Sequence, residues 1–359
     1  MHIVRFLLRP SVVPAWSTAL LALLLAAFPA QAFEASLRGL SIWWEVLFPA
    51  LFPFFVISEL LLGFGIVHFF GKMLDPFMRP LFRIPGIGGF VVTMGYASGY
   101  PVGARLTAQL WEQRLINRAE GERLVAFTTT SDPIFLIGAV SVGFFHSAAL
   151  APVLAAAHYG GGLIIGLLMR FHDRHAPASA EAKAAAPRGW KRGRFAEAIR
   201  AMHEARMLDG RSLGTLLQDS VQAALRLMIV VGGLVVVFSV VMELLRQTGG
   251  IGVLAAAVRL LLGFAGVPAA LSDAVVSGLF EVTLGARAAG GAAGSGLMHQ
   301  AAIAAFVLSW AGLSVHAQVA SLLSRTDLRY KPFLLARLLH GFIAAALIYA
   351  LWGWLGPAA

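Results

Sequence analysis

The sequence predicts an all-α polytopic membrane protein with inverted structural repeats, each containing a re-entrant helical hairpin. Three observations lead there. Of 359 residues, 58% are hydrophobic and 13% charged, against about 25% charged in soluble domains. Apolar runs of about 20 residues, enough to cross roughly 30 Å of hydrocarbon as a helix, recur through most of the chain. Landmarks of the first half also reappear, in order, in the second. This composition, with a mean hydropathy of +0.78, excludes an ordinary soluble enzyme, a disordered chain and a solenoid. The absence of cysteine excludes disulfides, iron–sulfur clusters and thiolate zinc sites.

The 28 Lys and Arg residues against 18 Asp and Glu give a net charge of +10. The basic residues cluster in loops between apolar segments, as the positive-inside rule produces. No basic groove interleaved with aromatics is visible, so nucleic acid is not expected as a partner.

Residues 1–33 read as a first membrane helix or signal anchor. Arg5 and Arg9 precede an apolar run from Val12 to Phe28, and Ala30-Gln31-Ala32 resembles a signal-peptidase site. Residues 34–169 form the first membrane repeat. Its first span, Ile42 to Phe70, is long and holds Pro49, Pro53, Glu45 and Glu59; interior prolines kink it. Lys72, Arg79 and Arg83 mark the cytoplasmic side. From Ile84 to Leu110 the apolar pattern breaks between Gly95 and Gly103, which predicts two half-length helices that enter the bilayer and return. Such a hairpin is tolerated where it lines protein or a wet cavity. Asn117 and Glu120 have capping-box spacing and start a helix running to about Phe145. Ala148 to Met169 returns the chain.

Residues 170–217 read as a basic cytoplasmic linker, with ten Lys/Arg against five Asp/Glu between 170 and 211 and a surface helix from Arg194 to Leu208. Residues 218–359 form the second repeat. It contains a span from Asp219 to Leu245, a short helix from Ile251 to Phe264, a broken stretch from Pro268 to Gly291, and spans Leu297 to Leu323 and Phe333 to Trp354. Arg325, Arg329 and Lys331 lie between the last two.

The repeats align by landmarks. Glu59-Leu60-Leu61 recurs as Glu243-Leu244-Leu245, 184 positions on, and Gly65 as Gly249 at the same offset. Pro85 recurs as Pro268 at 183, Gly103-Ala104-Arg105 as Gly285-Ala286-Arg287 at 182, and Phe127 as Phe306 at 179. A one-way drift is what small deletions after a duplication produce. With the basic loops inside, the two halves run in opposite directions. Paired broken segments in inverted repeats point to a secondary transporter with a site near the midplane.

Several stretches resemble a known family. Trp43-Trp44-Glu45, Phe48-Pro49 with Pro53-Phe54-Phe55, the block from Ser98 to Ala104, and Phe127 to Pro133 are similar to the YlbJ (SpoVV) family of sporulation integral membrane proteins. The resemblance covers nearly the whole chain, and Ser-Gly-Tyr-Pro-Val-Gly-Ala is its most specific part. It implies a nucleoside-recognition Gate domain, a fold like that of concentrative nucleoside transporters, and transport of dipicolinic acid across the mother-cell-derived outer forespore membrane of a spore-forming bacterium. The alternatives are a nucleoside transporter and a non-transporting spore-assembly scaffold.

Candidate substrate-binding residues follow from the breaks. Arg105 and Arg287 each lie a few residues after a break, in matched positions. A cation at membrane depth costs about 2.5–3.5 kcal/mol on insertion scales and is usually functional; the alternative is that each snorkels to water. Ser98, Gly99, Tyr100, Pro101 and Gly103 form the first break. A half-helix beginning at Pro101 would aim its first N–H groups into a cavity as an anion site, or the glycines serve close packing alone. Thr128, Thr129, Thr130 and Ser131 offer hydroxyls, and Pro133 frees the Thr129 carbonyl. These suit a substrate or a sodium ion, unless the hydroxyls bond their own helix. Glu281 and Thr283 lie at the second tip, where Glu281 either serves the site or pairs with Arg287. Asp132, Glu59 and Glu243 are candidate coupling groups; Asp132 could instead pair with Arg105 or stand in water at a helix end.

His172 and His175 lack further ligands, His316 reads as a satisfied core histidine, and no HExxH, Walker A or G-x-S-x-G signature occurs. No metal, cofactor or catalytic set is expected, and the chain reads as no enzyme. The expected partners are a small anionic substrate and the lipid bilayer; association into a homo-oligomer is left open.

Overall fold

The computed structural model describes residues 12–179 and 193–357. Arg5, Arg9 and linker residues 180–192 lie outside the described residues. Helix α1 (Val13–Ala27) meets α2 (Pro29–Ser41) at Phe28, where the chain bends by 103°. Pro29 opens α2, where its missing N–H costs nothing. The small buried face of α2, Ala32, Ala35 and Gly39, lies against α11 (Leu213–Gln247), and a Cβ on Gly39 would meet Ser239 Oγ at 2.8 Å. After a wide π-type turn, Ile42–Leu47, the chain enters α3 (Phe48–Gly63).

The span expected from Ile42 to Phe70 is not continuous. The chain turns at Gly65, with φ +76°, and starts again as α4 (Ile66–Phe77). Glycine is needed there because that conformation is costly for a residue with a Cβ and because the Met202 backbone occupies the space a Cβ would fill.

The first hairpin is α5 (Gly88–Ser98) and α6 (Tyr100–Glu112). The capping box forms as expected: Glu120 N donates to Asn117 Oδ1 and Asn117 N to Glu120 Oε2, both at 3.0 Å. It opens α7 (Arg118–Thr128), which does not run on to Phe145 but stops at Thr128. A non-helical segment follows, then the π-type helix α8 (Phe135–Phe144) and the long α9 (Ala151–Met169). The linker holds α10 (Arg194–Asp209).

The second half repeats the series with α11, α12 (Gly250–Phe264), the hairpin arms α13 (Ser272–Phe280) and α14 (Val282–Gly290), α15 (Leu297–Trp310), α16 (Gly312–Leu323) and α17 (Tyr330–Leu355). Among the described residues, four segments are long and apolar enough to cross a membrane: Ala148–Met169, Leu213–Gln247, Leu297–Leu323 and Tyr330–Leu355. The third is interrupted, because Ala311 adopts a left-handed conformation (φ +76°) followed by Gly312 at φ +70°.

Packing joins the halves by exchange. Arm α6 of the first hairpin packs on α16, beyond the second repeat's break, and arm α14 of the second packs on α8, beyond the first repeat's break. The matched helices α3 and α11 pack together, as do α9 and α17. At one end, Arg329 forks onto Glu122 through Nε (2.8 Å) and Nη2 (2.7 Å), and His172 Nε2 meets the same carboxylate at 2.6 Å. This clamps the start of α17 to α7.

Candidate functional site

Each hairpin tip abuts one of the two helix breaks. Gly99, the first tip, has φ +88° and ψ −173°, a region open essentially to glycine alone; a Cβ there would lie 3.0 Å from Asp132 Oδ2 in the first break. At the second tip the glycine is on the break: a Cβ on Gly312 would lie 3.0 Å from the Phe280 carbonyl oxygen and 3.1 Å from Glu281 Cα. Behind the tips, paired glycines close each hairpin on the helix that follows it. A Cβ on Gly95 or Gly103 would strike the Thr128 carbonyl, and one on Gly278 or Gly285 would strike the Val307 side chain. Gly95 to Gly278, Gly103 to Gly285 and Thr128 to Val307 span 183, 182 and 179 positions, the same drift that aligns the repeats in sequence.

Carboxylates cap the half-helices around the tips. Asp132 Oδ1 accepts from the backbone N–H of Ile134 (3.0 Å) and Phe135 (2.8 Å). Glu281 Oε2 accepts from Leu284 N at 2.8 Å. Both are buried. Tyr100 lies within electrostatic reach of both and of Arg337. Helix α6, by contrast, starts at Gly99 with no side-chain cap.

A helix break orphans backbone carbonyls, and buried ones need donors. In the second break, Leu308 O accepts from Tyr100 Oη (2.8 Å), Ser309 O from Arg337 Nη2, and Trp310 O from His316 Nε2 (3.0 Å). In the first, Thr129 O accepts from Arg337 Nη1 (2.6 Å) and Ser131 O from Tyr159 Oη (3.2 Å). His158 joins the two breaks from α9. Its Nε2 accepts from Ser131 N (3.1 Å) and contacts Thr130 Oγ1 (2.7 Å), so Nδ1 carries the proton and donates to Ser309 Oγ (2.8 Å). As a donor to Ser309, His158 braces that hydroxyl rather than activating it as a nucleophile. His158 and Arg337 are separated by 179 positions, the offset of the helix breaks themselves, so matched helices each send one fully buried polar side chain across both breaks.

The comparisons with known proteins agree with this architecture. A family model described as nucleoside recognition (Gate) matches residues 44–161, which contain the first hairpin, the first break and half of α9. The sporulation integral membrane protein YlbJ of Bacillus subtilis (strain 168) is 46% identical over 324 residues, 90% of this chain and 78% of that protein. The chain belongs to the YlbJ family. It is an integral membrane protein of a sporulation family, with apolar helices of membrane-spanning length. Among solved structures, that of CNTnw in an inward-facing substrate-bound state matches with a TM-score of 0.57 at 14% identity, over 98% of this chain and 88% of that one. This family member therefore has the concentrative-nucleoside-transporter fold.

Not all the residues singled out from sequence meet at the tips. Gly99, Tyr100, Pro101, Ser131, Asp132, Glu281 and Thr283 do; Ser98 ends α5 beside them. Gly103 lies in the arm, packed on Thr128. Thr128 and Thr129 donate to the Leu124 and Val125 carbonyls of their own helix, at 2.8 and 2.9 Å. The Thr129 carbonyl, expected for a substrate or sodium ion, is held by Arg337. Arg105 and Arg287 are exposed on the outer faces of α6 and α14, because the small faces of those helices turn inward. Arg287 forms no pair with Glu281, nor Arg105 with Asp132, since both carboxylates are used as helix caps. Glu243 pairs with Arg38 at 2.9 Å and Arg246 at 3.3 Å, a structural brace to α2. Glu59 is within electrostatic reach of Arg105 and Arg211.

Arg337, His158 and Ser309 are absent from the sequence-derived set. An arginine in the middle of the last apolar span was the available signal, since an intramembrane ionisable group marks function by default. The 179-position spacing from His158 would have supplied its partner.

Proposed function

We propose that this chain is a secondary transporter or facilitator of a small organic anion, dipicolinate, across the outer forespore membrane during sporulation. The observation that carries the reading is that each hairpin tip rests on one of the two helix breaks, behind which matched glycines close the hairpin on the neighbouring helix, in a chain whose halves are inverted by the charge of their loops. A site held between two such elements can open to either face as one hairpin moves against the other. Transport rather than catalysis is the reading.

Support for an anion comes from the first hairpin. The first turn of α6 has no side-chain cap and leaves the Tyr100 N–H for a carboxylate, since Pro101 has none and Val102 N donates to the Gly99 carbonyl. The family resemblance proposes dipicolinate itself. A dianion leaving a negative-inside compartment gains about 4–5 kcal/mol per 100 mV, from roughly 2.3 per charge, so facilitation would suffice.

A nucleoside is the second reading. The buried carboxylates of Asp132 and Glu281 are suited to accept hydroxyl hydrogen bonds from a neutral polyol, and the matching family model is named for nucleosides. Uptake into proteoliposomes of labelled dipicolinate, with uridine as competitor, separates the two. Saturable dipicolinate uptake unaffected by uridine is the expected result. Uridine uptake without dipicolinate uptake would overturn the first reading and install the second.

A further inference from the structure

We propose that the guanidinium of Arg337 is a resident cation standing in place of a coupling sodium ion, holding the two helix breaks together from within the protein. This rests on the carrier reading above. Carriers with broken helices commonly bind sodium through the unwound carbonyls and half-helix C-termini of the breaks. Here the C-terminal ends of α7 and α15 converge on one side chain. Arg337 takes one carbonyl from each repeat, Thr129 O and Ser309 O. Each helix C-terminus carries roughly half a negative charge, so two of them balance one guanidinium.

The surroundings match a cation site rather than an ion pair. Arg337 is fully buried, and no carboxylate pairs with it among the described residues. A buried charge without a counter-ion is costly, and only the fixed carbonyl dipoles offset it here. An arginine stays charged under any working condition, so the site cannot empty by losing a proton. The remaining break carbonyls named above, at Leu308, Trp310 and Ser131, already have the donors Tyr100, His316 and Tyr159. A metal ion at any of these five carbonyls would have to displace a protein donor. His158, the matched residue on α9, completes the cross-brace with neutral hydrogen bonds.

Two measurements on the wild-type protein test this. The first is thermal unfolding of purified protein in detergent at equal ionic strength in sodium, potassium or choline chloride. Equal melting temperatures are expected; a sodium-specific rise of several degrees would overturn the proposal. The second is proteoliposome uptake of labelled dipicolinate under the same three salts. Rates within twofold are expected, and a tenfold stimulation by sodium would overturn it. If the melts agree but neither dipicolinate nor uridine is taken up, the carrier reading fails while the resident cation stands. A third measurement uses Arg337→Ala, which vacates the site. Its melting temperature should rise with millimolar guanidinium, and the wild type's should not; a variant as stable as wild type and indifferent to guanidinium would overturn the proposal. If Arg337→Ala does not fold, Arg337→Lys is compared with Arg337→Met: folding of the lysine variant alone supports a required cation, and equal stability of the methionine variant overturns it.

Discussion

Arg337→Leu should destabilise the protein by about 3–6 kcal/mol, from two charge-assisted hydrogen bonds at roughly 1.5–3 kcal/mol each. Two effects oppose. Removing a buried cation recovers its desolvation cost, and replacing an entire buried ion pair with apolar residues can even stabilise. That gain requires both partners to go. The partners here are the backbone carbonyls of Thr129 and Ser309, which no side-chain substitution removes, and each left unsatisfied costs a further 1–3 kcal/mol or so in a buried site. The loss therefore wins. Arg337→Lys, with a compact ammonium in place of a fork, should retain about half of the stability. The check is thermal unfolding in detergent; an Arg337→Leu protein melting within two degrees or so of wild type would show that the breaks do not depend on the guanidinium.

Gly103→Val should abolish transport, at least tenfold slower uptake than wild type, and Gly285→Val should do the same from the other hairpin. A Cβ at Gly103 would collide with the Thr128 carbonyl and approach Thr128 Oγ1 to 2.7 Å; at Gly285 it would meet the Gly278 backbone and Val307. In both places the obstacle includes backbone, which cannot rotate away. The hairpin must lift off the helix, moving the tip away from the break, with an overpacking cost of about 1–3 kcal/mol. Gly233→Val, at a helix position where a Cβ meets nothing within 4 Å, is the control and should transport normally. Uptake in proteoliposomes measures all three, and wild-type rates for both hairpin variants would remove close packing from the mechanism.

The hairpins were legible in the sequence because their devices are chemically conspicuous. Gly99 before Tyr100-Pro101, the capping box at Asn117 and Glu120, and the repeated Gly-Ala-Arg all announce a break or a helix start. The first helix break was half legible: Pro133 marks it, and the freed Thr129 carbonyl was foreseen, but not the donor that fills it. The second break was hidden. Trp310-Ala311-Gly312 contains no proline, and the left-handed Ala311 is held by tertiary packing of Gly312 on the Phe280–Glu281 turn. Hydropathy averages across such a break and reports one uninterrupted span.

The side-chain network was less legible, for a geometric reason. Arg337 reaches Thr129 from 208 positions away and Tyr100 reaches Leu308 across the same distance. Motif reasoning works along the chain and weights charges beside visible breaks, so it favoured Arg105 and Arg287. Those two stand on the polar edges of half-helices whose glycine and alanine faces are turned inward. The apolar run around Arg337 disguised a charged side chain that reaches both breaks.

The central claim is that the two hairpins guard one site from opposite membrane faces. Because the chain has no native cysteine, single cysteines at Ser98 and Thr283 can be labelled with a membrane-impermeant maleimide in sealed vesicles of known orientation, with and without dipicolinate. The expected result is labelling of the two positions from opposite faces, with substrate slowing both. Labelling of both positions from the same face under every condition would contradict the account.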